Sequence, residues 1–107
     1  MSGSGGSGGG GFTATTDDCA TLVIDSQLSS PKPAVVASIQ SGDELEVGLQ
    51  PMGTTTVVVV LAKGQIAGGL ASPLVPRLRE CINSGTRYHA TVTAKNDGQV
   101  QVRIRAA

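Results

Sequence analysis

Alternating apolar and polar residues predict β-strands along most of the chain. The segment GDELEVGLQ places Leu45, Val47 and Leu49 on one face and Glu44 and Glu46 on the other, which is the pattern of a strand with one solvated face. The next segment, TTTVVVVLA, is apolar on both faces and is typical of a central strand. Turn residues separate these two segments from each other and from QIAGGLA, so the three together predict an antiparallel meander.

One further strand and two helices complete the elements before the C-terminal segment. TLVIDSQL, residues 21–28, predicts a strand with Ile24 and Leu28 on one face. SSPKPAVVASIQSG predicts a short helix over residues 33–40, because proline is tolerated in the first turn and Gly42 can end it. SPLVPRLRECINSG predicts a second helix whose regular part begins as late as Pro76 and ends at Gly85.

The C-terminal segments RYHATVTAK and QVQVRIR predict a β-hairpin with a defined register. Residues directly opposite each other in an antiparallel pair share a face, so even-numbered residues must pair with even-numbered ones here. A three-residue loop over residues 96–98 satisfies this rule and puts glycine where a turn followed by a bulge needs it. The predicted pairs are Lys95 with Gln99, Val92 with Val102, and Thr91 with Arg103.

The predicted order of elements is β-α-β-β-β-α-β-β. This order predicts a β-dominated α+β domain over residues 13–107, built as a small curled antiparallel sheet or an SH3-like barrel. Residues 1–12 contain the run SGSGGSGGGG, whose composition indicates a flexible tether, either native or added by engineering.

Composition narrows the choice of function. Eight basic residues balance eight acidic ones, so no overall field attracts nucleic acid or an anionic membrane. The longest apolar run is far shorter than the ~20 residues of a membrane-spanning helix, and we expect a soluble cytoplasmic protein without cofactor or metal. Cys19 and Cys81 lack the spacing of zinc ligands. A reducing compartment favours two buried thiols, and the alternative is a disulfide that ties the N-terminal segment to the second helix.

The glycine-rich segment GQIAGGLASP, residues 64–73, invites comparison with phosphate-binding loops. It lacks both the Lys-Ser/Thr pair of the nucleotide-hydrolase loop and the G-x-G-x-x-G spacing of dinucleotide sites. We therefore expect Gly68 and Gly69 to bend a strand, or to let the following helix approach the sheet closely.

Several of these segments, in their order along the chain, resemble the HIRAN family of small β-barrel domains. The resemblance covers residues 34–104 and rests on GDELEVGLQP, the Val-rich strand, KGQIAGGL, the helix, and SGTRYHATVTA. It implies a barrel fold and, since some HIRAN domains recognise single-stranded DNA ends, a nucleic-acid ligand. Residues 49–54, LQPMGT, lack the acidic and aromatic residues that the family usually carries at this turn.

Basic side chains concentrate on the predicted outward face of the hairpin. The candidate residues for binding nucleic acid or a protein partner are Arg87, His89, Lys95, Arg103 and Arg105. No aromatic residue alternates with them to stack bases, and no nucleophile and base are predicted to converge. We therefore predict a non-enzymatic binding module, an adaptor or interaction domain whose sheet edge or apolar surface meets a protein partner. The alternative is a module that binds single-stranded or duplex nucleic acid.

Overall fold

The computed structural model describes residues 19–107, and the tether predicted for residues 1–12 lies outside this part. The elements are β1 (Ile24–Ser29), α1 (Pro33–Val36), β2 (Glu44–Met52), β3 (Thr55–Ala62), β4 (Gln65–Leu70), α2 (Val75–Asn83), β5 (Tyr88–Asn96) and β6 (Gln99–Ala106). The predicted order is confirmed, although α1 is shorter than the predicted helix over residues 33–40. A further short helical stretch, residues 19–21, was not predicted.

The six strands form a closed antiparallel barrel in the order β1-β4-β3-β2-β5-β6. The meander β2–β3–β4 and the hairpin β5–β6 are the local parts of this sheet, and both were predicted. Strand β1 closes the barrel, since it pairs with β6 from Ile24 to Gln27 and with β4 at Leu28 and Ser29. The fold is therefore the β-dominated small α+β fold that the patterns predict.

The barrel interior is filled almost entirely by aliphatic side chains. No polar or charged residue of the described part is buried, so the core is held by apolar burial and close packing. Helix α2 contributes Leu78 and Cys81 to this core. No helix within residues 19–107 has the length and apolar character that crossing a membrane requires. The largest fully buried aliphatic side chains are Ile24, Leu28, Ile39, Leu78, Ile104, Val58, Val60, Val92, Val100 and Val102.

Gly68 and Gly69 let two strands come close together. A Cβ atom on Gly68 would lie 3.1 Å from both the Leu28 Cβ and the Ser29 carbonyl oxygen, and one on Gly69 would lie 3.2 Å from the Ser29 hydroxyl. The pairing of β4 with β3 also shifts register beside them, between Val60 and Leu61. The predicted close approach is therefore made by β1 and not by the following helix, and the predicted bend of the strand stays a prediction.

Cys19 and Cys81 form a disulfide, so the favoured expectation of two free thiols is wrong. The two Cα atoms lie 5.5 Å apart, and both residues are buried. The hydroxyl of Tyr88 donates a hydrogen bond to the Cys19 carbonyl oxygen at 2.5 Å. These contacts fasten the segment that precedes β1 to α2 and to the start of β5. Sequence spacing could not decide between thiols and disulfide, because the two cysteines meet only in the folded chain.

Two of the three predicted hairpin pairs are confirmed. Val92 pairs with Val102 and Thr91 with Arg103, as expected, but Asn96 and not Lys95 lies opposite Gln99. The pairs place Thr93 as an extra residue on β5, which makes a β-bulge there. The bulge supplies the shift of one residue that the prediction had assigned to a longer loop, and so the loop contains only two residues.

Candidate partner-binding surfaces

Four of the five predicted site residues lie on one side of the barrel. On the paired strands β5 and β6, His89 lies directly opposite Arg105. Arg103 lies two residues before Arg105 on β6. Arg87 is exposed immediately before β5 begins. The structure therefore brings these four side chains together on the outer surface of the hairpin.

Lys95 does not belong to this surface. The bulge at Thr93 reverses the side-chain alternation, so Lys95 pairs with the buried Val100 and not with an outward-facing residue. Its Nζ donates hydrogen bonds of 2.9 Å to the Val36 and Ile39 carbonyl oxygens. The Val36 carbonyl oxygen, at the end of α1, also accepts a hydrogen bond from the Ile39 N–H, so the ammonium adds a charged donor to the C-terminal end of this helix and to the turn that follows it. The prediction that Lys95 faces outward is wrong, because a bulge inside a strand leaves no clear local signature.

Acidic side chains lie beside these basic residues, and one of them forms an ion pair with Arg103. Asp25 of β1 lies directly opposite Arg103, and the Asp25 Oδ1 is 2.7 Å from the Arg103 Nε. The hydrogen bond to Asp25 raises the pKa of Arg103 above its ordinary value. Exposed ion pairs of this kind contribute little to stability, but this one places a carboxylate directly beside the Arg103 guanidinium.

Strand β2 adds two more carboxylates on the other side of the hairpin. Glu46 lies directly opposite His89, and Glu44 lies directly opposite Thr91. Both glutamates are exposed on the outer face of the barrel. The outer surface of β1, β5, β6 and the start of β2 is therefore mixed in charge and not uniformly basic. The sequence could not show this, because it depends on which strands become neighbours.

Strand β2 has an open edge beyond Glu46. Its pairing with β5 ends at the Glu46–His89 pair, whereas its pairing with β3 continues to the Met52–Thr55 pair. Within residues 19–107, the second half of β2 thus has a strand neighbour on one side only. An open strand edge offers backbone N–H and C=O groups to an incoming chain.

The direction of these backbone groups follows from the ladder. The Val92 N–H donates to the Asp43 carbonyl oxygen at 2.9 Å, so odd-numbered residues along β2 turn their backbone groups toward the β5 side. Leu49 therefore directs its N–H and C=O to the open edge. Pro51 also faces this edge but has no N–H to offer, and so the usable edge is short.

A cleft of about 690 Å³ lies where β2 and β5 diverge. Its walls include Gly48 and Leu61 from the sheet, Ile82 from α2, and Arg87. A Cβ atom on Gly48 would lie 3.3 Å from the Leu61 Cδ1, so the missing side chain leaves the Leu61 side chain uncovered. The open edge of β2 is thus bordered by a hollow with an apolar floor, and the charged residues Arg87 and Glu46 are part of its lining.

The described residues bring no metal-binding cluster together: within residues 19–107, no group of three or more His, Cys, Asp or Glu side chains is placed to hold an ion. The disulfide also removes both cysteines as nucleophiles. Comparison of the chain with protein families, with curated proteins and with solved structures finds no match.

Proposed function

We propose that this protein is a non-enzymatic interaction module that binds an extended segment of a partner protein along the open edge of β2. The observation that carries the proposal is that β2 runs on to Met52 after its pairing with β5 has ended at Glu46. An extended peptide can add to such an edge as a further strand. Its backbone hydrogen bonds then supply affinity, and its alternate side chains supply specificity.

Features of the edge support binding of a short segment. Leu49 offers one donor and one acceptor, and the cleft beside Gly48 can receive one side chain of the incoming strand. Pro51 interrupts the row of donors, as prolines commonly do on edges that must not pair with a second copy. The module would then recognise a few residues and avoid open-ended sheet growth.

A nucleic-acid ligand, which the resemblance to HIRAN domains implies, is the alternative. Its binding surface would be the outer face of the hairpin, where Arg87, His89 and Arg105 are accessible to phosphates. The neighbouring Asp25, Glu44 and Glu46 would repel the same phosphates. Because of these carboxylates we favour the protein partner.

The disulfide supports a proposal about location. Structural disulfides form and persist in oxidising compartments and are rare where thiols are kept reduced. The buried Cys19–Cys81 bond therefore favours a site of action outside the reducing cytoplasm, in place of the cytoplasmic location expected from the sequence.

A displayed library of random peptides, selected against the folded domain, tests the proposed function. We expect selected peptides to change the amide NMR signals of residues 46–50 and of residues 85–89. Pro51→Ala adds an N–H to the open edge and should tighten peptide binding by about 2- to 12-fold, the effect of one hydrogen bond. Pro73→Ala, at an exposed proline before α2, is the matched control and should change nothing.

Titration of the same domain with single-stranded and duplex DNA at low salt tests the nucleic-acid alternative. Submillimolar binding whose affinity falls steeply with salt, with signal changes centred on Arg87, His89 and Arg105, would contradict the protein-partner proposal. Peptide binding that Pro51→Ala leaves unchanged would contradict the assignment to the β2 edge.

A further inference from the structure

A second hollow lies on the outer surface of β3 and β4, and Gln50 and Met52 of β2 also border it. Val57, Val59 and Ile66 form its apolar walls, and Gly69 forms part of its floor. Met52, which is 60% exposed, borders it at the turn between β2 and β3. The volume is about 300 Å³. This groove exists because glycines replace side chains where β4 approaches β1.

Polar groups gather at the β1 end of the groove. Ser29, Ser30 and Lys32 contribute to its lining, and Ser30 has a φ of 47°, a left-handed conformation that is uncommon for residues other than glycine. The backbone N–H of Lys32 donates to the Ala67 carbonyl oxygen at 2.8 Å and fixes this segment against β4. The Lys32 side chain is exposed and forms no ion pair with any residue of the described part.

We infer that this groove binds a segment of a partner protein in which a branched apolar side chain adjoins a carboxylate. The apolar walls exclude water around the side chain, and burial of such a side chain is favourable. The Lys32 ammonium and the two serine hydroxyls complement the charge of the carboxylate and can donate hydrogen bonds to it. The inference is independent of the β2 edge, because it rests on different residues and on charge complementarity.

N-acetyl-leucine and N-acetyl-leucine amide are the probes for this groove, since they share the branched side chain but only the first carries a carboxylate. Titration into the isotope-labelled domain should give saturable NMR shifts at the amides of Val57, Val59, Ile66 and Gly69. The acid should bind about two- to fivefold more tightly than the amide, the range expected for one exposed ion pair.

Two lysine variants separate a specific contact from general attraction. Lys32→Gln should remove the preference for the acid over the amide, whereas Lys63→Gln, at the exposed turn between β3 and β4, should preserve it. Equal binding of acid and amide to the unaltered domain, or no saturable shift at these four amides, would overturn the inference.

Octanoate, which has no branched side chain, should bind more weakly than N-acetyl-leucine. Stronger binding of octanoate at the same amides would assign the groove to an amphiphile and also overturn the inference. The shifts that N-acetyl-leucine causes at the four groove amides are expected whether or not a peptide binds the β2 edge.

Discussion

Loss of the Cys19–Cys81 disulfide should weaken the fold strongly without changing it. The bond joins residues separated by 62 positions along the chain. In the chain-entropy account, a cross-link that closes a loop of this size stabilises the folded state by about 4 kcal/mol. Single domains have total stabilities of only about 5–15 kcal/mol, so this one bond would supply a large share.

The double variant Cys19→Ala, Cys81→Ala measures this contribution. Urea unfolding of the oxidised protein, the reduced protein and the variant, each followed by circular dichroism, gives three midpoints. We expect the reduced protein and the variant to have similar urea midpoints, both much lower than that of the oxidised protein. Their thermal midpoints should fall by about 15–30 °C, from the usual shift per kcal/mol for a domain of this size.

Reductant should not affect the variant, which serves as the control for unspecific effects of the reagent. If thiol titration shows that the bond of the natural chain is fully reduced and the urea midpoint has not moved, the reasoning fails. The segment before β1 would then be held to α2 by packing alone, and the argument for an oxidising compartment would lose its basis.

Three other changes test how the barrel is held together, each by urea unfolding. Lys95→Met should cost about 1.5–3 kcal/mol, because the carbonyl oxygens of Val36, at the end of α1, and of Ile39, just beyond it, lose a charged donor; an unchanged midpoint would contradict this role. Burial raises the pKa of Tyr88, so ionisation opposes folding and stability should fall as the pH rises above about 10. Tyr88→Phe should remove that alkaline loss and cost about 1 kcal/mol at neutral pH; an alkaline profile like that of the natural chain would contradict the assignment. Gly68→Ala should cost about 1–3 kcal/mol, because its Cβ would crowd Leu28, whereas Gly98→Ala meets no atom within 4 Å and should be neutral.

The elements and their order were predictable because they depend on local patterns. The alternation of Leu45, Val47 and Leu49 marked the inner face of β2, and the parity of Val92 and Val102 fixed most of the hairpin register. Parity alone could not tell a longer loop from a bulge, because each shifts the pairing by one residue. The bulge at Thr93 therefore went unpredicted, and the position of Lys95 with it.

The remaining features depend on contacts between distant parts of the chain. Barrel closure brings Asp25 beside Arg103, and this converts a basic hairpin into a surface of mixed charge. The open edge of β2 arises because its pairing with β5 stops at Glu46 while its pairing with β3 continues. No local spacing in the sequence encodes where two non-consecutive strands separate, so the edge could be proposed only in general terms.

Hydrogen exchange at three consecutive amides of β2 tests the central claim most directly. The amides of Gly48 and Gln50 face β3, whereas the Leu49 amide faces the open edge. We predict that the Leu49 amide exchanges faster than its two neighbours by at least about tenfold in the free domain, and that a selected peptide slows it to their rate. A Leu49 amide that is already as protected as that of Gln50, or that a bound peptide leaves unprotected, would contradict binding along this edge.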